Sequence, residues 1–380
     1  MILLLVVSLV LSGVGTSADL CLQGDFDSQV ESFKHAVMLS TEDEDQIHRL
    51  VRDVKDTMRR RWPGTEVELF GSVPTGVALK SSDADCYVKI PNYNESADAY
   101  VSEQALALFG RQRARYGAAR ARRVRGGEPA LLSLRHRPTA RRLDVVFSDS
   151  CIRASRLNQY YYNLNQNIRP LIAIIKFWYK LHQGKDFHMI SYNLYLLTLF
   201  YLQQINMVPS VFVLQRKGKH FDGIWDMNFI EIPYASRNTE GLYELLGGFF
   251  TYYSDFNFDE YIVSRYTGRP IRKTDFLSLD RVPEEHYLYK ENVQDLGIPP
   301  LDVSVPLVIP DVFEHNLNTA PLVSREELAA FVSNLKLAAK QFHELPRDVF
   351  LKALFTKSQD IAELTEGKLN SCINTTAILL

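Results

Sequence analysis

An α+β fold, in which a small sheet-bearing unit is inserted into a mainly helical one, is what this sequence predicts, and three observations predict it. Between residues 62 and 158, short β-branched and aromatic runs are broken by turn residues, the mark of strands. Beyond residue 158 the apolar side chains recur at helical spacing and aromatics accumulate. The chain has 380 residues, 46% of them hydrophobic and 23% charged, enough for one large or two ordinary domains around a proper core. With 43 basic and 45 acidic residues the net charge is −2. That balance excludes a disordered chain and a uniformly basic nucleic-acid binder, although an average can hide a local patch.

In chain order, residues 1–11 are apolar and lead into the small residues Gly15, Thr16, Ser17 and Ala18, resembling a secretory signal that lacks a positive start. A cleaved leader, a short anchor and an unusual start to a soluble chain all fit. No later segment has the roughly 18 apolar residues of a membrane span, so no stable membrane association is expected. From Thr41, Ile47, Leu50, Val51, Val54 and Met58 follow a helical period that Pro63-Gly64 stops. Strand-like runs follow at 66–70, closed by Gly71-Ser72, at 85–90, ended by Pro91, and at 143–147. Three strands with a connecting helix make a unit of ordinary domain size.

Residues 111–142 carry eleven arginines and one acid, Glu128, around the apolar Ala130, Leu131, Leu132 and Leu134. Two readings stand: a solvated loop, or a phosphate-binding edge, since guanidinium pairs with phosphate and stacks on bases. Residues 170–181, 191–205 and 242–253 read as largely buried helices, and 344–380 as a helical or loose tail. Cys21, Cys86, Cys151 and Cys372 have neither zinc nor redox spacing and are read as four reduced thiols. The histidines, His136, His182 and His188 among them, have no ligand spacing.

Chemistry concentrates at Leu69-Phe70-Gly71-Ser72 and, after ten residues, Asp83-Ala84-Asp85. Residues two apart on a strand share a face, so Asp83 and Asp85 present adjacent carboxylates. Such a pair resists joint ionisation unless a cation lies between, and hard oxygen donors suit Mg²⁺ with its retained waters and substrate phosphates. Asp144, opening the run 143–147, can join them from a neighbouring strand, the arrangement of two-metal nucleotidyl transfer. Alone, Asp-x-Asp is as well explained by a polar turn entering a strand. The upstream Gly71-Ser72, which offers backbone N–H groups and a hydroxyl to phosphates, makes the combination specific.

Phe70-Gly71-Ser72, Ser82-Asp83-Ala84-Asp85 and Leu143-Asp144-Val145 together resemble the polymerase β type nucleotidyltransferase motif, in the branch of the RNA terminal nucleotidyltransferases: terminal uridylyltransferases and cytoplasmic-type poly(A) polymerases. Residues 174–180 are similar to that branch's nucleotide-binding helix, and 241–253 to its poly(A)-polymerase-associated segment. The resemblance, over about residues 29–345, implies a polymerase β-like domain with a small mixed sheet at 62–158, within a mainly helical domain of residues 26–61 and 159–345. A leader at 1–25 and a tail at 346–380 flank them. It implies that Asp83, Asp85 and Asp144 bind Mg²⁺, with Mn²⁺ as an alternative, and that Asp144 also lies near the RNA 3′ hydroxyl. Gly71 and Ser72 would contact the triphosphate, Lys176 and Lys180 its β and γ phosphates, Ser191 a phosphate, and Tyr192 the base. Ser155 matches a ribose-contacting serine, but Ala154 stands where the family has an asparagine. The loop Pro310-Asp311-Val312-Phe313-Glu314-His315-Asn316 lacks two residues before its histidine, and His315 in the base-excluding role tips the expectation slightly to UTP over ATP.

The expected activity is template-independent extension of RNA 3′ ends, with either weak intrinsic sequence choice or a protein partner that supplies it. Alternatives are a poly(A) polymerase using ATP and a catalytically silent relative that binds RNA or nucleotide. A third takes the leader and the sequons at Asn94 and Asn374 as marks of a secreted glycoprotein. Against it, nucleoside triphosphates are scarce outside the cell, and a disulfide at Cys86 would disturb Asp85. A cytoplasmic location is therefore expected, with nucleus and mitochondrion as alternatives.

Overall fold

The computed structural model describes residues 20–92, 98–117, 120–122, 131–184, 187–215, 224–356 and 372–373. Residues 1–19 and both sequons lie outside them. A five-stranded sheet is built from β2 (Glu66–Phe70), β3 (Ala84–Lys89), β4 (Arg120–Arg122), β5 (Leu131–His136) and β6 (Arg141–Val146), ordered β2-β3-β6-β5-β4. Only β3 and β6 run parallel; the other neighbours are antiparallel. The sheet is thus larger than the three strands expected. Part of the arginine-rich segment, read as a loop or an edge, is strand: Leu132, Leu134 and His136 of β5 are buried, whereas Arg135 is exposed.

Period-2 alternation decides which face meets the core. Ala84, Cys86 and Val88 of β3 and Leu143 and Val145 of β6 pack with Leu132 and Leu134 under two helices, α2 (Thr41–Arg59) and α3 (Asp98–Arg111). The opposite face is left to Asp85, Asp144, Ser133, Arg135 and Arg142. Helix α2 begins with a capping box between Ser40 and Asp43 and buries Ile47, Leu50, Val54 and Met58 on the sheet. It therefore belongs to the core of the sheet unit, although the sequence assigned residues up to 61 to the helical one.

A second core joins α1 (Phe26–Val37), α4 (Ser150–Asn163), α5 (Ile168–His182), α6 (Ser191–Gln204), α8 (Leu242–Ser254), α10 (Arg325–Glu344) and α11 (Arg347–Leu354). Between α6 and α8 lies the short α7 (Val211–Gln215), which buries Val211 and Leu214. Helices α5 and α6 are buried over most of their lengths, α5 with Lys176 among its buried residues. A third cluster gathers Trp225, Ile262, Ile271, Phe276 and Tyr289 around the hairpin β7 (Tyr261–Ser264) and β8 (Arg269–Arg272) and the helix α9 (Tyr287–Asp295).

At the C-terminal side the helical alternative holds, and the helix is packed: after α11, Phe355 lies on Phe33 and Phe177, with ring centroids 5.5 and 4.9 Å apart. The strand β1 (Leu20–Cys21) pairs antiparallel with β9 (Cys372–Ile373), and a disulfide joins Cys21 to Cys372. The expectation of four reduced thiols is corrected here: spacing along the chain cannot foresee a pair separated by 351 residues. Cys86 and Cys151 are free.

Candidate active site

The turn after β2 is shaped around a carboxylate. Gly71 has φ +72°, and a Cβ there would lie 2.6 Å from Asp85 Oδ2, so only glycine allows the backbone this close. The Gly71 N–H donates to Ser155 Oγ at 3.0 Å, pinning the turn to α4. Thr75 Oγ1 donates to the Gly71 carbonyl at 2.7 Å, and Arg169 Nε of α5 donates to the Thr75 carbonyl at 2.9 Å. Ser72 is buried, and its hydroxyl shares a hydrogen bond with Tyr195 of α6.

The carboxylates come from neighbouring strands. Asp85 and Asp144 are register partners across the parallel β3–β6 pair, and Asp83 immediately precedes β3. Burial, reinforced by repulsion from Asp144 and Asp83, pushes the Asp85 carboxyl up to about 7. Asp83 Oδ1 is 3.2 Å from Arg142 Nε.

Helix α5 faces these acids with two ammonium groups one turn apart. Lys176, 4% exposed, donates to Ser82 Oγ at 2.9 Å, and Lys180 donates to Ser81 Oγ at 2.9 Å. Burial lowers both to about 8; for Lys176 the carboxylates Asp85 and Asp83 oppose the shift, and for Lys180 the charge of Lys176 adds to it. Lys176 also sits 5.6 Å from the Tyr195 ring centroid.

Ser191 and Tyr192 open α6. Asn193 ties this end to the loop 309–319, donating to the Thr319 carbonyl at 3.0 Å. In that loop Asp311 accepts from the N–H groups of Phe313 and Glu314, and its charge is felt by the phenol of Tyr192. His315 is a different case. Its imidazole is buried against Tyr266, His286 and Trp225, with ring centroids 4.0, 5.2 and 5.5 Å away. It lines a separate cavity of about 320 Å³ together with Phe212, Asp226 and Tyr287. Ala154 is half-buried and packs against the helical core.

The structure therefore brings together Gly71, Ser72, Asp83, Asp85, Asp144, Ser155, Lys176 and Lys180, and turns His315 to other neighbours. The sequence reading missed Arg142 at Asp83, Ser81 and Ser82 at the lysines, and Tyr195 at Ser72. For Arg142 a signal existed, because it lies two residues before Asp144 and so on the same face of a strand. Among the described residues no group of three His, Cys, Asp or Glu side chains is placed to hold a metal ion. The donor chemistry of Asp83, Asp85 and Asp144, all oxygen and with Asp85 repelled by the other two, suits a hard divalent ion that takes its remaining ligands from water and substrate.

A family model described as the central palm domain of mitochondrial-like poly(A) RNA polymerase matches residues 26–183, and one for Cid1 family poly(A) polymerase matches residues 241–298. In this order on this fold, the two matched stretches are similar to the central palm and the associated domain of the poly(A) RNA polymerase families. Among particular relatives it is 29% identical over 232 residues to poly(A) RNA polymerase GLD2 of Danio rerio, covering 57% of this chain and 46% of that protein. It is 24% identical over 352 residues to terminal uridylyltransferase 7 of Homo sapiens, covering 86% of this chain and 22% of that one. A speckle targeted poly(A) polymerase of Danio rerio matches at 25% identity over 309 residues, with 69% and 39% covered. The chain spans well under two thirds of the length of these curated relatives. Among solved structures, mtPAP in complex with UTP superposes with a TM-score of 0.72 at 20% identity, covering 95% of this chain and 74% of that one. The Cid1 poly(U) polymerase with MgGTP bound does so at 0.70 and 20%, covering 88% and 99%. These likenesses show the fold.

Proposed function

We propose that this chain transfers a nucleoside monophosphate from a ribonucleoside triphosphate to the 3′ hydroxyl of RNA, without a template. The observation that carries the proposal is the register pairing of Asp85 with Asp144 beneath the Gly71 turn, faced by Lys176 and Lys180. The bond from the 3′ oxygen to the α phosphorus forms, the bond from that phosphorus to the bridging oxygen breaks, and pyrophosphate leaves. Asp83, Asp85 and Asp144 would hold Mg²⁺, or Mn²⁺ in its stead; bound there, such ions acidify the attacking hydroxyl and neutralise the leaving charge.

The chain's own groups do the positioning. Lys176 and Lys180 offer two ammonium groups to the β and γ phosphates, and Ser72 and Ser191 offer hydroxyls. Tyr192 stacks on the base. Ser155 acts by holding the Gly71 N–H, and Asp144 orients the acceptor hydroxyl. On this reading the sheet unit, residues 62–158 together with α2, forms one wall of the nucleotide cleft, and the helical residues to about 345 form the other.

A bias toward UTP would need His315 at the base. With that ring in the separate cavity UTP and ATP stand level as donors, and relatives named for each are known. A protein partner that selects the RNA belongs to the proposal. Among the described residues no helix is long and apolar enough to cross a membrane. The compartment follows from the activity as cytoplasm, nucleus or mitochondrion, while the Cys21–Cys372 disulfide speaks for an oxidising one.

The test is extension of a short single-stranded RNA by the purified protein. Each nucleoside triphosphate is offered separately with Mg²⁺, beside an Asp83→Ala/Asp85→Ala variant. Extension lost in the variant supports the proposal, and the nucleotide consumed names the activity. RNA binding without extension under any condition would leave a silent binding protein in its place.

A further inference from the structure

We propose that Arg142, assisted by Arg135, binds the phosphodiester backbone of the acceptor RNA beside its 3′ end; this rests on the reading that the site extends RNA. Arg142 lies two residues before Asp144 on β6 and therefore on the same sheet face. Across the antiparallel β5–β6 pair, Asp144 stands opposite Ser133 and Arg142 opposite Arg135. The two arginines are thus register partners on one sheet face, and like charges so placed repel on approach unless an anion lies between them. Asp83, 3.2 Å from Arg142, compensates in part, but a cation bound at Asp83 takes that compensation away. The Arg142 side chain is 64% exposed, so it can leave Asp83 for a phosphate.

The sheet order says which phosphate. The Gly71-Ser72 turn follows β2, at the β2–β3 side of Asp144, whereas Arg142 and Arg135 occupy β6 and β5. Attack at phosphorus runs roughly in line with the leaving oxygen, so a triphosphate held at the turn and on α5 leaves the β5–β6 side for the strand that supplies the hydroxyl. Guanidinium suits that strand, pairing with its phosphate and stacking on its bases. The triphosphate is the competing ligand, because Lys180 is close enough to feel the Arg142 charge.

The experiment pairs fluorescence anisotropy of a 5′-labelled single-stranded RNA with steady-state kinetics, for Arg142→Gln, Arg142→Lys, Arg135→Gln and a control, Arg281→Gln, in a turn outside the sheet. Arg142→Gln is expected to weaken RNA binding about tenfold and to reduce the slope of log affinity against log salt by about one. Arg142→Lys should restore part of the loss, and the KM for nucleotide should stay within about twofold. A raised KM for nucleotide with RNA affinity intact would overturn the proposal in favour of the triphosphate. RNA affinity equal to that of the control would reduce Arg142 to a neutraliser of Asp83. Anisotropy needs no turnover: a wild type that binds RNA without extending it would sink the polymerisation reading and leave this test running. A wild type that binds no RNA would sink the proposal itself.

Discussion

At Gly71 a single added methyl group would collide with Asp85 Oδ2, in a backbone conformation that side chains rarely adopt. The strain costs about 1–3 kcal/mol, and moving a reacting group by about 1 Å can cost about a hundredfold in rate. Gly71→Ala is therefore expected to lower kcat by about a hundredfold while the protein still folds, checked by single-turnover extension and a thermal melt. Ser155→Ala should act more mildly through the unsatisfied Gly71 N–H, a loss of about 1–3 kcal/mol that denaturant titration would detect. The lysines carry a pH signature. Both sit at about 8, so their charge is present below that pH and lost above it. The KM for nucleotide should rise as pH climbs from 7 to 9.5, and Lys180→Arg, which keeps its charge, should flatten the rise. A KM flat across that range in the wild type would remove the lysines from triphosphate binding.

At the scale of elements, what the sequence made legible followed simple periods. Alternation in β3 and β6 put Asp85 and Asp144 on the face opposite the apolar residues, and a 3.6-residue period announced α2, α5, α6 and α8. Strand β5 was hidden because Arg135 and Arg137 flank and interrupt its apolar residues, so charge counting overrode the alternation of Leu132, Leu134 and His136. Helix α2 was assigned to the wrong unit because periodicity names a buried face without naming its partner. His315 escaped for a similar reason: a motif two residues short keeps its letters but turns its histidine into a different packing environment. That environment has a measurable consequence. Burial draws His315 down to about 4, below its ordinary value near 6.5, and His286 beside it is lowered as well. A base whose folded pKa is depressed is protonated first in the unfolded chain, so stability is whole above pH 6.5 and drains as pH falls toward 4. From pH 7 to 5, His315 alone should remove about 2 kcal/mol, read by denaturant titration. His315→Phe should shrink that decrement; an unchanged slope would place the titrating group elsewhere.

At the scale of the molecule, three apolar clusters and one disulfide among the described residues connect the parts. No sequence rule pairs Cys21 with Cys372, because proximity there is a product of the finished fold, with α11 packed between α1 and α10 and the strands β1 and β9 meeting beside them. The expected outcome of thiol titration on the denatured, unreduced protein is two free thiols, Cys86 and Cys151, against four after reduction. Reduction should lower stability by about 2–5 kcal/mol and so depress the melting temperature. Four thiols without reduction would mean the clasp is open in the protein as isolated.

The β1–β9 clasp also alters how the molecule bears load. With Cys21 and Cys372 joined, the 351-residue span between them is a closed covalent ring. Tension applied to the two ends outside that ring passes through the sulfur bridge and bypasses every helix and strand inside it. Pulled from points outside that ring, the oxidised protein should withhold the contour of the ring, which should appear only once a reductant is added.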